Sequence, residues 1–239
     1  MARGSVLSLQ RWPVKSMAGE RVDALSVDEH GAVGDRAHAV FAQLNGRRRR
    51  LNAEGVPRLL AWAAAYPDVD DAGLTRDGLP QPAITAPDGT TLSWDDPELA
   101  TALGDDLCRD VTLVRETRGQ QDRPGTLHVT VERSLRRLEE ELGAPIDARR
   151  FRSNLHVDLD ADASAEDSWL GRRLRIGDAE LEIVEGCERC AIPTRDPDTQ
   201  EKWAELLRWL AAERATMFGV IVRAAVPAIV RRGDEVRLV

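Results

Sequence analysis

The sequence predicts a mainly β fold with a few helices, divided into two parts near residue 118. Three observations carry that reading. Short apolar–polar alternations recur along the whole chain between Gly, Pro, Asn and Asp turn signals, the pattern of half-buried strands. Helical periodicity is confined to a few segments. A polar, turn-rich stretch, Gly119-Gln120-Gln121-Asp122-Arg123-Pro124-Gly125, separates a mostly β unit (residues 1–118) from a second β-rich unit with two helices (residues 119–239). With 239 residues, 42% of them hydrophobic, the chain can bury a sizeable core, which excludes disordered, collagenous and coiled-coil classes.

Each element follows from local pattern. Residues 6–9 read as a strand that runs into Arg11-Trp12-Pro13, where the proline cannot occupy an interior strand position. A tight turn at 31–34 precedes a strand over 37–42. Asp77-Gly78 and Asp88-Gly89 are hairpin turns within alternating stretches at 73–79 and 82–92. Further strands are expected at 111–114, 127–131, 155–159, 173–176, 179–184, 218–222 and 235–239. Leu135, Leu138 and Leu142 predict a helix over 132–142 with Gly143 ending it, and Trp203, Leu206, Leu207 and Leu210 a helix over 201–214. Shorter helices are expected at 57–65 and 97–103. The arginine run 47–50, after Asn45-Gly46, reads as a solvated hairpin tip or as a contact for an acidic partner or phosphate.

The formal net charge of −8 argues against bulk nucleic-acid binding, which needs a basic face. It leaves room for a small basic pocket. The 33 basic residues are 31 arginines and two lysines, Lys15 and Lys202. Three cysteines make no secreted disulfide framework. The polar, alternating N-terminal segment is no signal peptide, and no apolar run is long enough to cross a bilayer. A cytoplasmic setting without membrane contact is therefore expected. The four histidines have no clustered spacing, and no phosphate-binding glycine motif is present.

The densest chemical candidate is Gly186-Cys187-Glu188-Arg189-Cys190, followed by a loop stiffened by Pro193 and Pro197. A structural zinc lacks a matched second ligand pair. A redox dithiol lacks a helix N-terminus to activate it. A single thiolate on a soft, redox-active metal fits the residue types, with Arg189 beside Cys190 favouring the ionised thiol. Two ordinary buried thiols are the remaining reading.

This segment belongs to an ordered set: Arg11-Trp12-Pro13-Val14-Lys15-Ser16; Gly34-Asp35-Arg36; Arg150-Phe151-Arg152-Ser153-Asn154; Glu166-Asp167-Ser168-Trp169; Ile176-Gly177-Asp178; Cys187-Glu188-Arg189-Cys190; and Thr194-Arg195-Asp196-Pro197-Asp198-Thr199. In that order the set resembles the molybdenum cofactor sulfurase C-terminal (MOSC) domain family, most closely its amidoxime-reducing component branch. The resemblance implies an N-terminal β-barrel-like domain packed on a β-rich domain, together holding a molybdenum cofactor (Mo-molybdopterin). It implies Cys190 as the metal ligand, with Cys187 a neighbour. It also implies Lys15, Ser16, Arg36, Arg152 and Asn154 as cofactor contacts, with Arg189 a further candidate; Thr130 and Glu132, at a strand-to-helix junction, are candidate extra contacts, helix capping being the alternative for Thr130. Asp196 is the candidate for polar active-site chemistry, an Asx-type turn being its structural alternative.

The implied activity is reduction of N-hydroxylated compounds, hydroxylamine-type bases and amidoximes. Some relatives carry a fused iron–sulfur domain. No cysteine follows Cys190 here, so a separate electron donor of ferredoxin or flavin reductase type is expected. The alternative is a cofactor- or sulfur-carrier module without substrate turnover. One departure from the family pattern is Gln200, where a glycine often follows Asp-Pro-Asp-Thr.

Overall fold

The computed structural model describes residues 2–118, 121–160 and 166–239. Gly119 and Gln120, at the expected segment boundary, lie outside the described residues. Seven strands close into a barrel. Around it run Leu155–Leu159, Leu127–Val131, Met217–Ala224, Ala179–Glu188, Arg173–Ile176, Glu235–Leu238 and Arg3–Arg11, the last pairing back onto Leu155–Leu159. The N-terminal strand is the closing piece: Gly4 pairs with Leu159 on one side and Val236 on the other.

Among the described barrel strands, only the pair Leu127–Val131 and Leu155–Leu159 runs parallel. A parallel pair needs a crossover, which the helix Glu132–Leu142 and the 3-10 turn Ala148–Phe151 supply. Inside the barrel, Val6, Leu9, Leu127, Val129, Val131, Leu155 and Val157 form one fully buried core. Side chains alternate across a strand, so His128, Thr130 and His156 face outward. That outer face is covered by Leu135, Leu138, Phe151, Leu206, Leu210 and Phe218. The Phe151 and Phe218 rings stack with centroids 3.9 Å apart.

The rest of the N-terminal half packs around Val14, Met17, Val40, Trp62, Ile84, Leu99 and Leu103. Its sheets are Val111–Arg115/His38–Leu44/Arg47–Arg50 and Ala63–Ala65/Ala83–Thr85/Thr91–Ser93. The helix Pro97–Leu107 runs past the expected end at 103; Asp96 accepts the Glu98 N–H at its N-terminus, with Pro97 next. A third sheet joins Ala24–Asp28 to Ala228–Arg231, so the two halves of the chain interlock a second time.

Several expectations are corrected. Residues 57–65 are not one helix: a 3-10 turn, Pro57–Ala61, gives way at extended Trp62 to the strand Ala63–Ala65. Cross-strand pairing with Ala83–Thr85 overrides the helix propensity of the alanines. Asp88-Gly89 does turn the hairpin between Ala83–Thr85 and Thr91–Ser93. Asp77-Gly78 turns no hairpin; its loop is pinned instead by Arg76, bound to Asp28 and to the Thr117 and Gly31 carbonyls. The arginines 47–50 are the strand itself, and Asn45-Gly46, both at positive φ, form the tip. The last helix spans Ala204–Arg214, because residues 201–203 bond back to the 194–196 loop. The strand Ala179–Glu188 extends past its expected end and includes Cys187.

Barrel closure yields a direct test. A Cβ on Gly4 would lie 1.6 Å from the Asp158 carbonyl oxygen. Gly4→Ala should cost about 2–4 kcal/mol in denaturant unfolding, the scale of a severe core clash. An unchanged midpoint would show that the N-terminal strand does not close the barrel.

Candidate functional site

A cavity of about 250 Å³ lies where the N-terminal half meets the outer barrel face. Of the residues singled out in the sequence, Lys15, Ser16, Arg36, Arg152, Asn154, Arg189 and Cys190 line it, and Cys187 joins them. They arrive from four separated stretches of chain. Lys15 and Ser16 follow the barrel's first strand. Arg36 follows the turn after Gly31–Ala32, Arg152 and Asn154 precede Leu155–Leu159, and the cysteine segment ends the longest barrel strand.

Three of these residues have left-handed backbones: Ser16 (φ 73°), Arg36 (φ 46°) and Arg152 (φ 53°). Each non-glycine residue there costs on the order of 1 kcal/mol or more, and such strain concentrates at functional sites. Surrounding bonds hold the conformations. The Arg36 N–H donates to the Trp12 carbonyl at 2.6 Å, and Gln121 N–H to the Arg36 carbonyl at 2.6 Å. Ser16 Oγ accepts the Ala53 N–H at 2.9 Å, so its hydroxyl anchors the neighbouring loop.

The wall is rich in buried positive charge. Arg36 donates to Asp35 at 2.5 Å and to the Arg152 carbonyl at 3.0 Å. Burial works against its charge, but Asp35 and Asp122 outweigh that and hold its pKa above the ordinary value. Arg152 stacks on Trp12, 4.2 Å from the ring centroid, and its buried Nη2 has no hydrogen-bond partner among the described residues. Burial, then repulsion from Arg36, pulls its pKa down to about 9. Lys15 pairs with Asp122. Burial lowers its pKa, Asp122 opposing the fall and Arg36 and Arg152 adding to it. Arg189 Nε is a second buried donor on this wall without a hydrogen-bond partner among the described residues.

Arg189 corrects the expectation attached to it. Its guanidinium donates to Cys187 Sγ at 2.8 Å and to the Phe151 carbonyl at 2.8 Å, not to Cys190. Arg189 lies just past the strand's last residue, Glu188, and its side chain turns back toward Cys187. Cys187 is buried and Cys190 exposed. Asn154 uses its amide structurally: Oδ1 accepts the His128 N–H at 3.1 Å and Nδ2 donates to the Gln10 carbonyl at 3.3 Å.

Thr130 and Glu132 do not line the cavity. They belong to a separate chain on the same outer face: Thr130 Oγ1 is 2.9 Å from both Ser153 Oγ and His156 Nδ1, and His156 Nε2 is 2.7 Å from Glu132. Asp196 also stays outside. It accepts the Asp198 and Thr199 N–H groups at 3.0 and 2.9 Å and pairs with Arg150 at 2.8 Å, the Asx-turn alternative. Those backbone bonds hold its pKa below the usual carboxylate value. The loop keeps a glycine-like geometry without glycine, with Gln200 at φ 59°.

Sequence reasoning missed Asp122 and His128 on the cavity wall. Burial drives the His128 pKa well below its ordinary value, so the imidazole is neutral. The alternation of Leu127, Val129 and Val131 was the available signal that His128 points the other way. No three His, Cys, Asp or Glu side chains among the described residues come together to hold a metal. A metal here would bring most of its own ligands. The orphaned Arg152 and Arg189 nitrogens, with cations exceeding carboxylates, fit an anionic, phosphate-bearing group with one thiolate contact from Cys190.

Comparison with known proteins agrees with this architecture. Residues 115–237 match the MOSC domain and residues 3–106 the MOSC N-terminal beta barrel domain. Mitochondrial amidoxime-reducing component 1 of Homo sapiens is 44% identical over 68 residues, 28% of this chain and 19% of that protein. The Mus musculus protein of the same name is 41% identical over 71 residues, 30% of this chain and 20% of that protein. The match thus spans about a fifth of these relatives' length. The YuaD protein of Bacillus subtilis shares the fold, with a TM-score of 0.50 at 13% identity over 100% of this chain and 97% of that one. No helix among the described residues is long and apolar enough to cross a membrane. The chain belongs to the MOSC domain family, with a MOSC N-terminal β-barrel domain ahead of its MOSC domain.

Proposed function

We propose that this protein is a molybdenum cofactor-dependent oxidoreductase that reduces small N-hydroxylated compounds such as hydroxylamine-type bases and amidoximes. One observation carries the reading: the exposed Cys190 thiol shares one cavity with Arg152, whose buried Nη2 has no hydrogen-bond partner among the described residues. The similarity to amidoxime-reducing component 1 supports the substrate class.

Each residue then has a task. Lys15, Arg36 and Arg152 hold the anionic end of the cofactor, with Arg152 fixed flat against Trp12. Asp35 and Asp122 keep two of these cations oriented, because a carboxylate on one side leaves the remaining N–H donors aimed elsewhere. Cys190 contributes the protein thiolate to the metal. Arg189 fixes Cys187 and the Phe151 carbonyl, stiffening the strand end that presents Cys190. Asn154 ties Gln10 to His128 and thereby holds the wall together. When bound, the cofactor supplies a two-electron couple, which matches R–NH–OH + 2 e⁻ + 2 H⁺ → R–NH₂ + H₂O. Electrons come from a separate donor protein.

Protein purified from a host that makes the cofactor should contain molybdenum. Cys190→Ala should lose most of it, whereas Cys108→Ala, far from the cavity, should keep it. Equal loading in both variants overturns the reading. Loaded protein that reduces no N-hydroxylated compound with a chemical donor would instead be a cofactor carrier.

Arg152→Gln removes one charge-assisted contact and should weaken pyrophosphate binding about 10- to 100-fold by calorimetry. The sign with pH follows from Arg152. Its charge is present below about 9 and is lost above. The affinity advantage of the wild type over Arg152→Gln should therefore shrink as pH rises through that value, a ratio in which the ionisation of pyrophosphate itself cancels. A ratio that stays constant across that range removes Arg152 from the anion site.

A further inference from the structure

The arginine strand Arg47–Arg50 is left unused by the cavity chemistry. All four side chains are exposed. Elsewhere on the surface arginines find carboxylates, as in Arg58–Asp106, Arg149–Asp198 and Arg237–Glu235. None of Arg47, Arg48, Arg49 and Arg50 has an ion pair with any described carboxylate, although the chain carries 41 acidic residues and a net charge of −8. Among the described residues Arg48 alone of the four makes a side-chain hydrogen bond or ring contact, donating to Thr112 Oγ1 at 3.3 Å and lying 4.9 Å from the Phe41 ring centroid.

The strand is also an edge. It pairs only with His38–Leu44, so its outer rim is unpartnered. Alternation puts Arg47 and Arg49 on one side of the rim and Arg48 and Arg50 on the other. Basic residues at an edge block self-association. That role does not require four in succession, nor a location beside the site. The location is close. Arg50 is near enough to Asp122, on the cavity wall, for its charge to act on that carboxylate. Three residues beyond Arg50, the Ala53 N–H donates to cavity-lining Ser16.

We propose that this arginine edge is the docking surface for an acidic redox protein, of iron–sulfur or flavin type, that delivers electrons to the neighbouring cavity. The inference rests on the proposed reductase activity. The donor is oxidised by two electrons per turnover, singly or as a pair, and the N-hydroxylated substrate is reduced with two protons to the amine or amidine and water. The chemistry of the rim selects the partner. Four cations on one short strand complement a compact acidic patch, whereas the net negative charge of the rest of the chain repels an extended polyanion or an anionic bilayer.

The test uses the double variant Arg47→Glu/Arg49→Glu, whose side chains make no contact with the cavity residues. An acidic plant-type [2Fe–2S] ferredoxin and a flavodoxin serve as protein probes, with reduced methyl viologen as a chemical donor. The wild type should bind at least one protein probe at low salt, with affinity falling steeply as salt rises. The variant should bind it at least tenfold more weakly with a flattened salt dependence. With reduced viologen, turnover should agree within twofold between the two. Equal protein-probe affinity in wild type and variant, or binding of neither probe by the wild type, overturns the docking proposal. So does binding of vesicles rich in anionic phospholipid in preference to both proteins. Absence of viologen-driven turnover in both proteins counts against the reductase reading alone, because the binding measurement does not depend on activity.

Discussion

Buried positive charge without enough negative charge beside it is the constraint on which the site depends. Arg36, Arg152, Lys15 and Arg189 converge on one cavity, and Asp35 and Asp122 answer only part of their charge. Burying an unpaired cation costs several kcal/mol, so a wall of this kind forms at the expense of stability. Two consequences are visible. Arg152 is displaced toward losing its proton, and buried nitrogens on Arg152 and Arg189 lack partners. An anion entering the cavity relieves both at once.

The barrel and its interlocked sheets are what sustain this arrangement. The Arg3–Arg11 strand is wedged between Leu155–Leu159 and Glu235–Leu238, so the Trp12–Ser16 segment leaves a fixed point. Trp12 then organises the wall. Its N–H binds Asp35, its carbonyl receives the Arg36 N–H, its indole binds the Ser153 carbonyl, and its ring carries Arg152. The left-handed backbones at Ser16, Arg36 and Arg152 persist because these bonds over-determine them.

Much of the site was legible in the sequence because its residues sit in compact motifs. Lys15-Ser16, Arg36, Arg152, Asn154 and Cys190 meet at one cavity as the ordered motifs imply. The strands Leu127–Val131, Leu155–Leu159 and Arg173–Ile176 and the helix Glu132–Leu142 were legible residue for residue from periodicity alone. Barrel closure was not, because the pairing of Gly4 with Leu159 and Val236 joins residues far apart in the chain and leaves no local signature. Direction was the other gap. Adjacency to Cys190 said nothing of where the Arg189 guanidinium points; it turns back to Cys187 Sγ and the Phe151 carbonyl. Thr130 and Glu132 were misplaced for a related reason: the parallel register sets Thr130 opposite His156, which takes both residues into its own hydrogen bonds.

The central claim is that one protein sulfur, from Cys190, meets a metal whose cofactor is anchored on the buried cations. X-ray absorption at the molybdenum edge of loaded protein tests it most directly. The sulfur count around the metal should drop by one in Cys190→Ser and stay unchanged in Cys187→Ser, the cofactor's own sulfurs remaining in both. A metal shell unchanged by Cys190→Ser, or one that loses a sulfur only in Cys187→Ser, would contradict the claim.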